Sequence, residues 1–209
     1  MTTIAVLSSK GGVGKTSLAI WLAQVWHDET GEEIVLADLD PQGSAAIWAE
    51  MPKAQWAKGK ITVVPHPKKF NPKQKLNWGD RNVVIDCPPR LDDVCLAAAF
   101  VADVVVTPVK PGQFDLHACS DTLALLDAAD AHRGKNGLGP VKRIIVPNML
   151  TQTRLSKDLI TALKPTNYCF ERGLKLRAEY ASVSAEGARL KRGPALHDVE
   201  SLLEQALAQ

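Results

Sequence analysis

The sequence predicts one doubly wound α/β domain over residues 1–209, a mostly parallel sheet with helices on both faces. Three observations predict it. Six short runs rich in Val and Ile recur along the chain, and segments with helical spacing of apolar residues separate most of them. A Gly-rich loop follows the first run directly and leads into the first helical segment. Near-continuous apolar strands alternating with helices suit a parallel sheet covered on both faces, because neither side of such a strand meets water.

The elements follow in order. Residues 4–7 are apolar throughout and read as a buried strand; beyond the loop, Leu18, Trp21, Leu22, Val25 and Trp26 recur at helical spacing. Residues 34–37 form the second strand. The stretch 51–80 is irregular, with Pro52, Pro65, Pro67 and Pro72 among many lysines. It is expected to run over the surface around an edge strand at 61–64. Residues 83–85, 104–107 and 144–146 complete the strands, and Leu116, Leu123, Leu125 and Leu126 mark another helix. Leu196, Val199, Leu202, Leu203 and Leu207 place a final helix over 195–208.

The chain has 209 residues, 45% hydrophobic and 23% charged, which are globular values that exclude disorder and disulfide-stapled miniature folds. No run approaches 18 apolar residues, since Asp103 divides the longest stretch, so no membrane-spanning helix is expected. The opening Met1-Thr2-Thr3-Ile4 lacks the pattern of a secretory signal, and a cytoplasmic location is expected. Cys87, Cys95, Cys119 and Cys169 lie far apart and are expected to be reduced, mostly core, thiols. The net charge of +2 is unevenly spread. Residues 133–192 hold thirteen Lys or Arg against four acids, and 53–81 holds eight against Asp80 alone. Such asymmetry suggests a polyanionic partner.

The loop after the first strand reads Ser8-Ser9-Lys10-Gly11-Gly12-Val13-Gly14-Lys15-Thr16-Ser17. Glycines let successive backbone N–H groups point inward at phosphate oxygens, and the following helix adds its positive end. Lys15 is placed to neutralise the β and γ phosphates, and the Thr16 hydroxyl to ligate magnesium. Asp38-Leu39-Asp40-Pro41-Gln42-Gly43 ends the second strand, and Asp86-Cys87-Pro88-Pro89 ends the strand over 83–85. Open α/β sheets place ligand sites at such strand ends, where a carboxylate holds magnesium-bound water or orients an attacking water.

Lys-Gly-Gly-x-Gly-Lys-Thr with its additional Lys10 resembles the deviant Walker A motif of the ParA/MinD ATPases. Asp38–Gly43 and Asp86–Pro89 resemble that family's second signature and its Walker B, and Thr107-Pro108-Val109 its Pro-containing strand-end loop. Ser17 departs mildly from the family's usual second Thr. The resemblance implies a deviant Walker A P-loop fold binding ATP and Mg2+, with Lys10, Gly11, Gly12, Val13, Gly14, Lys15, Thr16 and Ser17 around the phosphates. Asn148 stands where the family hydrogen-bonds adenine, or is a turn residue. Residues 176–187 resemble a late Arg, Tyr and Gly segment before the last helix.

The resemblance further implies that two ATP-bound subunits close face to face, Lys10 reaching the partner subunit's nucleotide. Lys10, Lys15 and Asp40 are then the catalytic residues, with Asp40 positioning water, and Thr16, Asp40 and Asp86 serve the metal. Turnover is expected to be slow. Between 197 and 209 the chain carries Asp198, Glu200 and Glu204 without Lys or Arg, so a basic membrane-binding tail is not expected. Cys95 and Cys119 lack the surroundings of cluster ligands. Non-specific binding of double-stranded DNA by the dimer fits the basic stretch, with Arg177, Arg189, Lys191 and Arg192 as candidate contacts. Residues 53–75 are a second candidate surface or a soluble loop. The expected function is partition of plasmid or chromosomal DNA, associated with the nucleoid, through a cargo-bound or centromere-binding adaptor that stimulates hydrolysis. The alternatives are positioning of a protein cargo, such as a chemotaxis cluster or microcompartment, and a nucleotide-timed protein switch without DNA.

Overall fold

Among the described residues, six strands form a single sheet in the order β3-β2-β4-β1-β5-β6, every neighbouring pair parallel. They are β1 (Thr3–Val6), β2 (Ile34–Asp38), β3 (Ile61–Val64), β4 (Asn82–Asp86), β5 (Val104–Val109) and β6 (Lys142–Pro147). The helices are α1 (Lys15–Thr30), α2 (Ser44–Ala49), α3 (Asp93–Val101), α4 (Gln113–Lys135), α5 (Arg154–Leu163), α6 (Ala178–Glu186) and α7 (Pro194–Leu207). The computed structural model describes residues 1–65 and 78–208.

Alternate strand residues enter two cores. Ile4, Val6, Leu36, Val84 and Val106 pack with α1, α6 and α7 on one face; Ala5, Leu7, Val35, Ile85 and Val105 pack with α3 and α4 on the other. Both faces are dry, which is why the strands read as unbroken apolar runs. Helix α1 is buried from Leu18 through Trp26, because α6 and α7 cover the side turned away from the sheet. Its one buried polar side chain in that span, Gln24, both donates to the Leu190 carbonyl (2.9 Å) and accepts from the Leu190 N–H (2.8 Å). The helix ends at Gly31, whose φ of 70° gives the left-handed cap that other residues adopt at a cost.

The stretch 51–80 does not run wholly over the surface. Pro52–Ala57 is a 3-10 helix that buries Ala54 and Ala57, and the Trp56 indole donates to the Gly187 carbonyl at 3.0 Å. Proline starts the turn, and the small alanines let it approach α6. The edge strand is where expected, at Ile61–Val64, whereas Lys68, Lys69, Lys73 and Lys75 lie outside the described residues. All four cysteines are free; Cys169 is partly exposed and the others are buried. Among the described residues no helix is long and apolar enough to cross a membrane.

Candidate nucleotide site

The sheet order reverses at β1, which lies between β4 and β5, so the loop leaving β1 opens at the switch point where α/β sheets bind ligands. The register pairs Val6 and Asp38 with Asp86, bringing three strand ends together beneath that loop. Above them lies a cleft of about 270 Å³ lined by Gly11, Gly12, Gly14, Lys15, Thr16 and Ser17, with Asp40, Ser44 and Pro89 opposite. Helix α1 starts at Lys15 and aims its N-terminal N–H groups into this cleft.

Lys15 is buried, and its Nζ donates to the Lys10 carbonyl at 3.1 Å. Burial lowers its pKa, against the pull of Asp86, Cys87 and Asp40. Both carboxylate oxygens of Asp86 are buried without a well-aligned hydrogen-bond donor. Burial raises the Asp86 pKa to about 7, while the Thr16 hydroxyl and Lys15 pull it down and Asp38 and Asp40 push it up. An orphaned carboxylate beside the hydroxyl of Thr16, which itself lines the cleft, fits a magnesium ion held partly by the nucleotide. Among the described residues no three His, Cys, Asp or Glu cluster as a metal cage, and magnesium does not need one.

Asp38 organises the opposite wall, a role the sequence pattern did not single out. Its carboxylate accepts from the N–H groups of Asp40 (3.1 Å), Ala45 (2.9 Å) and Ala46 (3.1 Å), joining the end of β2 to the start of α2. Burial nevertheless raises its pKa. Asp40 hangs from this frame, its Oδ1 accepting from the Gln42 N–H at 2.9 Å, and lines the cleft. The Lys10 side chain is not among the cleft's lining residues. Val13 is buried and contributes its carbonyl, which accepts from Asn148 Nδ2 at 2.8 Å. Asn148 thus clamps the phosphate loop, and its Oδ1 accepts from the N–H of Met149, which has a φ of 56°.

Asn148 and Met149 also line a base-sized pocket of about 180 Å³ with Ser17, Trp21, Tyr180 and the segment Lys175-Leu176-Arg177. Ser17 lines both cavities. Trp21 stacks on Tyr180 with centroids 4.1 Å apart, and Ser184 Oγ donates to Ser17 Oγ at 2.7 Å. These α1 to α6 contacts join residues distant in sequence, and nothing in the sequence alone marked them as partners.

Gly14 has a φ of 90°, and a Cβ there would stand 2.8 Å from Asn148 Nδ2, whereas at Gly12 (φ 70°) nothing lies within 4 Å. Gly14→Ala is therefore expected to weaken nucleotide binding and to cost about 2–3 kcal/mol of stability, against about 1 kcal/mol for Gly12→Ala. Urea unfolding and nucleotide titration of the two variants measure this difference.

The basic stretch is less uniform than its count. Arg133 is spent on the carbonyls of Gly139, Phe100 and Ala102, and Lys142 on those of Gln205, Ala206 and Ala208. Arg143 pairs with Asp127 and Asp130. Arg177 pairs with Asp198 at 3.0 Å, and Arg189 pairs with Asp28 while lying over the Trp56 ring. Lys135, Lys157, Lys175, Lys191 and Arg192 are exposed and have no ion-pair partner among the described residues. Counting along the sequence misses acids that fold back from elsewhere.

A glycine-lined phosphate cleft at the switch point of a parallel sheet, with a lysine at its helix start and carboxylates on the two flanking strand ends, defines a P-loop nucleotide-binding protein. Residues 4–190 match the CobQ/CobB/MinD/ParA nucleotide binding domain, and the chain belongs to that family. It is similar to the maintenance of carboxysome distribution protein A of Gloeobacter kilaueensis, 39% identical over 133 residues, 62% of this chain and 60% of that protein. It is also similar to the chromosome-partitioning ATPase Soj of Thermus thermophilus, 29% identical over 170 residues, 68% of this chain and 66% of Soj. The alignments span about three-fifths of the length of the carboxysome relatives. Among solved structures, apo McdA of Cyanothece superposes with a TM-score of 0.78 at 18% identity, covering 100% of both chains. A plasmid partition protein of Borrelia burgdorferi bound to AMPPNP gives 0.75 at 17% identity, covering 97% of each. At these identities the superpositions concern the fold.

Proposed function

We propose that the chain is an Mg-ATP-dependent ATPase that dimerises on ATP, binds DNA non-specifically and positions a cargo over it. The observation that carries this reading is the division of the two lysines. Lys15 lies buried near Asp86 and Asp40, while Lys10 is half-buried at the start of the phosphate loop and offers its carbonyl, not its ammonium, to Lys15. A lysine so placed serves a second subunit's nucleotide, and the triphosphates supply the negative charge that two cationic faces need to meet. Gly11 to Ser17 hold the phosphates, Asp86 and Thr16 the magnesium, and Asp40 the hydrolytic water. The magnesium neutralises phosphate charge when bound. Among the described lining residues Lys15 is the sole cation and no arginine enters, which favours slow intrinsic turnover until an adaptor supplies another cation.

Lys191 and Arg192, exposed and without an ion pair among the described residues, are better placed to meet phosphates than Arg177 and Arg189, which already hold Asp198 and Asp28. The 39% identity to a carboxysome distribution protein favours a protein cargo; the Soj likeness supports the second reading, partition of a plasmid or chromosome. Sedimentation with ADP and with a slowly hydrolysed ATP analogue tests the switch, the expected result being a monomer with the first and a dimer with the second. A pair that forms equally without nucleotide overturns it. The analogue-bound dimer should retard arbitrary duplex DNA, with affinity falling against salt at a log–log slope of about −4 to −5. Lys191→Glu with Arg192→Glu should abolish that retardation while leaving the dimer.

A further inference from the structure

A third and larger groove, of about 470 Å³, runs between α5 and the segment that follows its 3-10 turn. Leu150, Ile160 and Leu176 give it an apolar floor and lip, and Leu176 is 63% exposed. Lys157, Arg172, Lys175 and Arg177 line it as well, and no Asp or Glu does among the described residues. Asp198 on α7 serves both arginines, at 3.9 Å from Arg172 and 3.0 Å from Arg177. Lys157 and Lys175 have no ion-pair partner among the described residues, although other exposed lysines find one, as Lys53 does with Glu186 and Lys164 with Glu171.

We propose that this groove docks an acidic, leucine-bearing peptide segment of a partner protein. Two properties select that chemistry together. The uncompensated lysines call for carboxylates, and an exposed leucine above an apolar floor calls for an aliphatic side chain that removes it from water. A DNA duplex meets the first requirement and not the second, because it presents a convex phosphate ridge with no aliphatic side chain to enter a groove. The docked segment also touches the nucleotide site. Lys175, Leu176 and Arg177 form one wall shared by the groove and the base-sized pocket, so an occupant on either side fixes the wall for the other. Peptide and nucleotide affinities are therefore linked, each changing the other by the same factor. This last clause rests on the nucleotide reading; the docking itself does not.

The test uses the full chain and a short fluorescein-labelled peptide of Glu and Ser flanking a Leu-x-x-Leu pair, followed by anisotropy. Without nucleotide, saturable binding is expected, weakened about tenfold by Leu176→Ser and about tenfold by Lys157→Glu. Both residues are exposed, so the variants are expected to fold, which circular dichroism verifies. Lys135→Glu, at the end of α4 before the start of β6 and so at the other end of that strand from the groove, is expected to leave binding unchanged. The proposal is overturned if binding does not saturate, if Lys135→Glu weakens it as much as Lys157→Glu, or if the Leu-to-Ser peptide binds equally well. It is also overturned if a short DNA duplex binds with the same sensitivity to Leu176→Ser. Failure to bind an ATP analogue in a parallel titration would instead count against the ATPase reading and leave the docking result standing.

Discussion

A Lys15→Ala chain is expected to fold normally and to bind ATP roughly 100-fold more weakly than the parent, the loss of about two charge-assisted hydrogen bonds to phosphate. The ammonium sits in the buried floor of the cleft with one backbone acceptor, the Lys10 carbonyl, so most of its donor capacity is directed at an incoming anion. Alanine is a good helix former at the first position of α1, and the space vacated adjoins the cleft that Lys15 lines. Calorimetric titration with ATP, beside circular dichroism of both proteins, separates a binding defect from a folding defect. An affinity within twofold of the parent would place the phosphates elsewhere.

Asp86→Asn is expected to act in opposite directions on stability and on activity. The native carboxylate is buried with neither oxygen well bonded and with Asp38 and Asp40 nearby, so the neutral amide should raise the unfolding free energy of the nucleotide-free chain by about 1–3 kcal/mol. The same change removes the charge suited to magnesium and should lower ATP hydrolysis by roughly 100-fold. Urea unfolding in the presence of a chelator and a phosphate-release assay are the two measurements. A destabilised variant would mean that the carboxylate has a structural donor at rest, and an active one would remove it from the metal site.

Most of the sheet was legible because its strands are dry on both faces. Runs such as 34–37 and 83–85 need no partner to identify them, and β2 and β4 lie on them to within a residue. The phosphate loop was equally legible, since backbone curvature, lysine and hydroxyl are all local in sequence. What escaped was everything made by distant residues meeting. Asp38 precedes Asp40 by two positions, yet its task depends on where α2 begins, and only the folded chain shows three N–H groups converging on it. The sequence suits Asn148 either to an adenine contact or to a turn. Its bond to the Val13 carbonyl adds a third task, holding the phosphate loop in shape. The basic stretch is less charged than its sequence, because Asp28, Asp127, Asp130 and Asp198, all outside residues 133–192, neutralise several of its members.

The stacked Trp21 and Tyr180 have a practical consequence. An indole lying flat on a phenol at the rim of the base-sized cavity is a built-in chromophore, and its emission will register any aromatic guest that slides in beside it. Occupancy of this protein can therefore be followed by light from its own side chains, with no dye attached.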